Sequence, residues 1–209
     1  RGRALQAAGN HGEALTVFGE IVKDHTDSIR KRDAKLLWAQ SAIAAGRAVE
    51  VPPFLVELSE NNDADAMLLT AKAYEAQGSQ TEAIRYYRNT YFYTAGSNAA
   101  KEAETKLTSL AQPLTPQNSE EQIGRAERLF NTKNYADALT AYGVLATNFP
   151  ASVTPLLQIR RLTAMANTGR MIDAQGVFNS LPASGKEREE GYRQLVLGYA
   201  KAKMWPQAR

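Results

Sequence analysis

Residues 119–150, SEEQIGRAERLFNTKNYADALTAYGVLATNFP, contain two amphipathic segments joined by a tight turn. In the first segment, one face of a helix beginning near Ser119 carries Ala126, Leu129 and Phe130. In the second segment, one helix face carries Tyr135, Ala138, Leu139, Tyr142 and Leu145. The Lys133-Asn134 turn separates the segments and Pro150 closes the unit. This stretch predicts a helical hairpin.

The hairpin pattern recurs along the chain. A small residue in the second helix marks each copy: Ala14, Ala83, Ala138, Ala174 and Ala208. The last two intervals are 36 and 34 residues, and the first, 69 residues, implies a degenerate copy between Ala14 and Ala83. An alanine lets two helices approach closely, and a following aromatic residue fills the space against the next pair. Glycines 9, 78 and 169 are predicted to take the left-handed conformation that ends the first helix.

These residues resemble the tetratricopeptide-repeat family, most specifically at 119–150 and 64–95 and least at 30–62. The resemblance implies an all-α fold, a right-handed α-solenoid of about five to six helix pairs. A generic helical bundle with fortuitous spacing is the alternative. The chain departs from the family pattern at Thr26, Asp63 and Ala95, where a closing proline is usual, and at Thr70 and Arg125, where leucine is usual.

The array is predicted to break near residues 111–118. Residues 97–110 indicate a helix outside the repeat pattern, and two prolines follow in AQPLTPQNS. We expect one sub-array at 1–110, a linker at 111–118, and a second sub-array at 119–209 that is truncated in its last repeat. Both ends cut through a repeat, so we expect the chain to be a fragment of a longer protein. Pro52 and Pro53 indicate a short helix at 54–58.

Helix starts are predicted from capping-box spacing, in which a serine precedes a glutamate or glutamine by three positions. The pairs with this spacing are Ser79 with Glu82, Ser119 with Gln122, and Ser184 with Glu187.

Composition excludes several classes of function. The chain lacks cysteine, which rules out disulfides, thiolate zinc sites and thiol nucleophiles. Its formal charge of +3 gives little support for nucleic-acid binding, which we do not expect. No apolar run is long enough for a transmembrane helix. The compartment stays open between the periplasm or cell envelope and the cytoplasm.

The sequence has few side chains arranged for catalysis or metal binding, so we expect no catalytic centre, metal site or cofactor. The two histidines, His11 and His25, lack a carboxylate or a second histidine at ligand spacing, and we interpret them as surface or capping residues. The nucleophile-elbow, phosphate-loop and dinucleotide-binding motifs do not occur.

The family resemblance implies a partner-binding concave face lined by the first helices. By alignment, its residues are Leu68, Lys72, Glu75, Ile123, Glu127, Phe130, Asn131, Ile159, Thr163, Asn167, Arg193 and Leu197. A second candidate surface is aromatic and contains Tyr86 and Tyr93. Packing against the helix at 97–110 and ligand stacking both explain these tyrosines.

Three functions follow from the resemblance. The first is a non-catalytic scaffold that binds a protein or peptide and belongs to a larger bacterial cell-envelope protein. The second is the superhelical arm of a soluble lytic murein transglycosylase, which residues 87–107 are similar to; such an arm would meet peptidoglycan through a neighbouring domain. The third is an outer-membrane assembly lipoprotein.

Overall fold

The computed structural model describes residues 1–24 and 30–208, and every regular element in these ranges is helical. His25 and Thr26 lie outside the described residues. The α-helices are α1 Gly2–Ala7, α2 His11–Asp24, α3 Lys31–Ala44, α4 Val51–Glu60, α5 Ala64–Ala76, α6 Gln80–Tyr93, α7 Asn98–Ser109, α8 Ser119–Asn131, α9 Tyr135–Asn148, α10 Pro155–Asn167, α11 Met171–Ser180 and α12 Lys186–Lys201.

The chain forms two compact units, unit 1 at Arg1–Leu114 and unit 2 at Thr115–Arg209. In unit 1 the pairs α1/α2, α3/α4 and α5/α6 pack in sequence, and α7 packs on α5 and α6. In unit 2 the pairs α8/α9 and α10/α11 pack in sequence, and α12 packs on α10 and α11. The predicted all-α repeat fold is confirmed. The sub-array boundaries and the linker at 111–118 stay predictions.

The residues that define the repeat form the core. Ala138 is fully buried and Tyr142 is 2% exposed, and Ala83 and Tyr87 at the matching places of unit 1 are also buried. Helices in unit 2 approach so closely that a Cβ added to Gly198 would lie 2.7 Å from Ala166 Cβ. This closeness explains why the packed faces are rich in alanine and glycine.

One turn ends most first helices. The residue after the C-cap has a positive φ, and the following N–H donates to a carbonyl five positions earlier, as in Ser79 N–H to Tyr74 O at 2.9 Å. The same bond joins Asn134 to Leu129 at 2.9 Å. Gly9, Gly78 and Gly169 take this conformation as predicted, with φ of 79°, 75° and 79°.

Three helix starts differ from the prediction. Helix α8 is capped by Asn118, whose Oδ1 accepts from Glu121 N–H at 2.9 Å. The N-cap therefore lies one residue before Ser119, the N-cap of the predicted Ser119–Gln122 capping box. Gln122 is buried and donates to Ala141 O at 2.6 Å. Ser79 is an N-cap without a side-chain hydrogen bond, and Gly185 rather than Ser184 precedes α12.

Helix α4 is longer than predicted. It begins at Val51, after a 3-10 turn at Ala48–Glu50, and ends at Glu60, whereas the sequence indicates only residues 54–58. Pro52 and Pro53 fit inside its first turn because the N–H groups there have no intrahelical acceptor.

Lys133 occupies the left-handed turn position of the α8/α9 hairpin with φ of 61°. A residue with a Cβ adopts this conformation at a steric cost that glycine does not have. We expect Lys133→Gly to raise the free energy of unfolding by about 0.5–1 kcal/mol, because it removes the steric cost of that conformation. Urea unfolding followed by circular dichroism measures the change. Thr132→Gly, one residue earlier at a negative φ, is the control and should destabilise; equal shifts would contradict the turn argument.

Candidate functional site

The first helices of unit 1 present the same positions to a common face because their turns fix the register. Asp33 and Asp65 each lie thirteen positions before a turn glycine, Gly46 and Gly78. Gln40 and Lys72 each lie six positions before the same glycines. Equivalent side chains from α3 and α5 therefore stand side by side along this face.

These helices enclose an open groove of about 420 Å³, which we call the unit 1 groove. Its floor is apolar, with Leu36, Leu68 and Leu69 buried and Leu37 half-buried. Polar side chains from four helices surround the floor: Arg3, Arg32, Asp33, Gln40, Asp65, Lys72 and Glu102. An apolar floor within a polar rim suits a polypeptide with mixed side chains.

Carboxylates gather at one edge of the groove around Arg32. Its guanidinium donates to Asp63 at 2.5 and 3.1 Å and to Asp65 at 2.7 Å, and lies 3.5 Å from Asp33. Burial alone would raise the pKa of the Asp63 carboxyl, but hydrogen bonds from Arg32 and from Ala66 N–H outweigh burial and lower that pKa. Asp63 therefore caps α5 as a carboxylate while it ties α5 to α3.

The opposite side of the groove is bordered by an ion pair between α5 and α7, and a second pair joins the same two helices beyond it. Lys72 Nζ lies 2.6 Å from Glu102, and Lys106 Nζ lies 2.5 Å from Glu75. A second open cavity, of about 460 Å³, lies over these pairs and shares Lys72 and Glu102 with the groove. The two cavities form a continuous surface across α3, α5 and α7.

Tyr87 connects this surface to the core. Its hydroxyl donates to Glu75 Oε2 at 2.7 Å, and Glu75 also pairs with Lys106. Burial, and then the hydrogen bond to Glu75, raise the pKa of the Tyr87 hydroxyl. Burial opposes ionisation of Glu75, but hydrogen bonds from Lys106 and Tyr87 hold its pKa below the ordinary value. Glu75 is thus held as a carboxylate between two donors.

Unit 2 contains the same tyrosine–glutamate–cation link. The Tyr142 hydroxyl donates to Glu127 at 2.8 Å, and Glu127 pairs with Arg160 of the next first helix. Burial raises the pKa of the Tyr142 hydroxyl. Arg160 also lies over the ring of Phe130, with Cζ 5.8 Å from the centroid. The link therefore joins α5 to α7 in unit 1 and α8 to α10 in unit 2.

The predicted concave-face residues occupy the first helices of both units. In unit 1, Lys72 lines both cavities, Leu68 lies in the floor, and Glu75 lines the second cavity. In unit 2, Ile159 is buried, and the residues with partly or largely exposed side chains are Ile123, Glu127, Phe130, Asn131, Thr163, Asn167, Arg193 and Leu197. Their role in binding stays a prediction.

Within unit 2, Asn167 links two of these first helices. Its side-chain amide donates to Thr163 O at 2.9 Å, and its Oδ1 accepts from Lys201 of α12 at 3.1 Å. Asn167 thus joins α10 to α12 at the surface predicted for the partner.

The predicted aromatic surface is largely packed. The Tyr86 ring lies 5.4 Å from the Tyr74 ring and 4.9 Å from Arg85 Cζ, measured to the Tyr86 centroid. Tyr86 and Tyr93 are both half-buried against the core cluster that includes Tyr87 and Leu107. These contacts favour the packing interpretation over ligand stacking.

His11 is the first residue of α2 and is half-buried, and its Nδ1 has no hydrogen-bond partner among the residues that the structure describes. His25 lies outside the described residues. Within residues 1–24 and 30–208, no group of three or more His, Asp and Glu side chains could hold a metal ion. None of the helices in these ranges has both the length and the apolar character to span a membrane.

Sequence reasoning missed most of the groove. No sequence motif assigns a role to Arg32, whereas the structure places it between carboxylates that lie 31 and 33 positions away. Arg3, Asp33, Gln40 and Asp65 have no motif of their own. They lie either six or thirteen positions before the turn glycines Gly9, Gly46 and Gly78, and this regular spacing is the sequence pattern that could have identified them.

The α5/α6 hairpin matches a known protein family. Residues 65–90, which include most of α5 and α6, match the family model of the tetratricopeptide repeat. The match supports the resemblance of this chain to the tetratricopeptide-repeat family. Tetratricopeptide repeats generally mediate protein–protein interactions and are generally non-catalytic. No curated protein and no solved structure matches the chain.

Removing the Tyr87 hydroxyl tests the Tyr87–Glu75–Lys106 link of unit 1. We expect Tyr87→Phe to lower the free energy of unfolding by about 0.5–1.5 kcal/mol, because it deletes a hydrogen bond to a carboxylate that solvent partly screens. Thermal and urea unfolding measure the loss. Tyr86→Phe is the matched control, since its hydroxyl has no hydrogen-bond partner among the described residues. Equal losses in the two variants would exclude a special role for the link.

Asp63 gives a prediction about pH. A carboxyl whose pKa is lowered by folding stabilises the fold above its unfolded pKa, and this stabilisation is lost as pH falls through the folded pKa. We expect the unfolding free energy of the chain to fall as pH drops below about 4. Asp63→Asn keeps the helix cap but removes the charge, so its profile should be flatter. Glu104→Gln, at an exposed position of α7, should keep the slope of the parent chain.

Proposed function

We propose that this chain is a non-catalytic scaffold that binds a protein or peptide partner in the unit 1 groove. The observation that carries the proposal is the continuous surface of α3, α5 and α7, which presents an apolar floor and a polar rim from register-equivalent residues. The tetratricopeptide-repeat match at 65–90 covers α5, the central helix of this surface, and supports a role in protein interaction.

The groove lacks the features of an active site. Of the carboxylates that line it, Asp65 pairs with Arg32 and Glu102 pairs with Lys72, in each case across helices, which uses their charge to hold the helices together. The groove is also open rather than enclosed, so it would not exclude water from a reaction. These features favour binding over catalysis.

Filling the groove tests the proposal. Gln40 is exposed in the groove, so Gln40→Trp should obstruct it without disturbing the core. A displayed library of random 12-residue peptides is selected on the chain, and enriched peptides are measured by fluorescence anisotropy. We expect Gln40→Trp to weaken their binding by at least about tenfold, equivalent to about 1.4 kcal/mol.

The matched control is Thr81→Trp, which places the same side chain on an exposed position of the second helix α6, away from the groove. This variant should bind like the parent chain. If no peptide is enriched, or if both tryptophan variants bind equally well, the groove is not the binding site.

A more specific role is as the helical arm of a cell-envelope enzyme that cleaves peptidoglycan. Its support is the resemblance of residues 87–107, which run from α6 into α7. The chain carries no catalytic signature of that enzyme family, so we propose that this piece is inert alone. Incubation with purified peptidoglycan tests this: release of soluble muropeptides would overturn the non-catalytic assignment.

A further inference from the structure

We draw no further inference here: the strongest candidate, the open cavity of about 770 Å³ between α1, α2 and α3 that Arg1, Arg3 and Arg30 line, carries none because nothing in the structure shows what covers its apolar floor.

Discussion

The close approach of neighbouring helices, within a hairpin and between successive hairpins, is the constraint on which the rest of the structure depends. Alanine or glycine at the contact allows this approach, and a left-handed turn fixes where the first helix ends. Because the turn and the contact recur together, successive first helices present equivalent positions to one face. The unit 1 groove follows from this register, since Asp33 and Asp65, or Gln40 and Lys72, come from matching positions of different helices.

Sequence reasoning predicted the fold because its signals are local. The alanine and aromatic spacing around Ala83 and Ala138, and the glycines at 78 and 169, determine where hairpins form and end. Helix starts were harder to predict: Asn118 caps α8 because its side chain reaches Glu121 N–H, and serine spacing alone could not show which residue would take that place. The extent of α4 depended on packing against its neighbours, which a proline pair does not reveal.

The candidate site was predicted only in part, for a physical reason. Leu68, Lys72 and Glu75 lie in the copy that matches the repeat pattern best, so alignment located them. Arg32 could not be assigned in the same way, because its partners Asp63 and Asp65 are distant in sequence and meet it only after α3 packs on α5. Ion pairs between repeats depend on tertiary geometry, whereas the repeat pattern reports packing within a hairpin.

The ion pairs between and along these helices are therefore of two kinds. Pairs such as Lys106–Glu75 and Arg160–Glu127 already have their partners, and each glutamate is further held by a buried tyrosine. A ligand that competed for them would have to break these bonds and would gain little in exchange. Asp33 and Asp65 instead share Arg32 and remain more than half exposed, so solvent screens these ion pairs and they contribute little to stability.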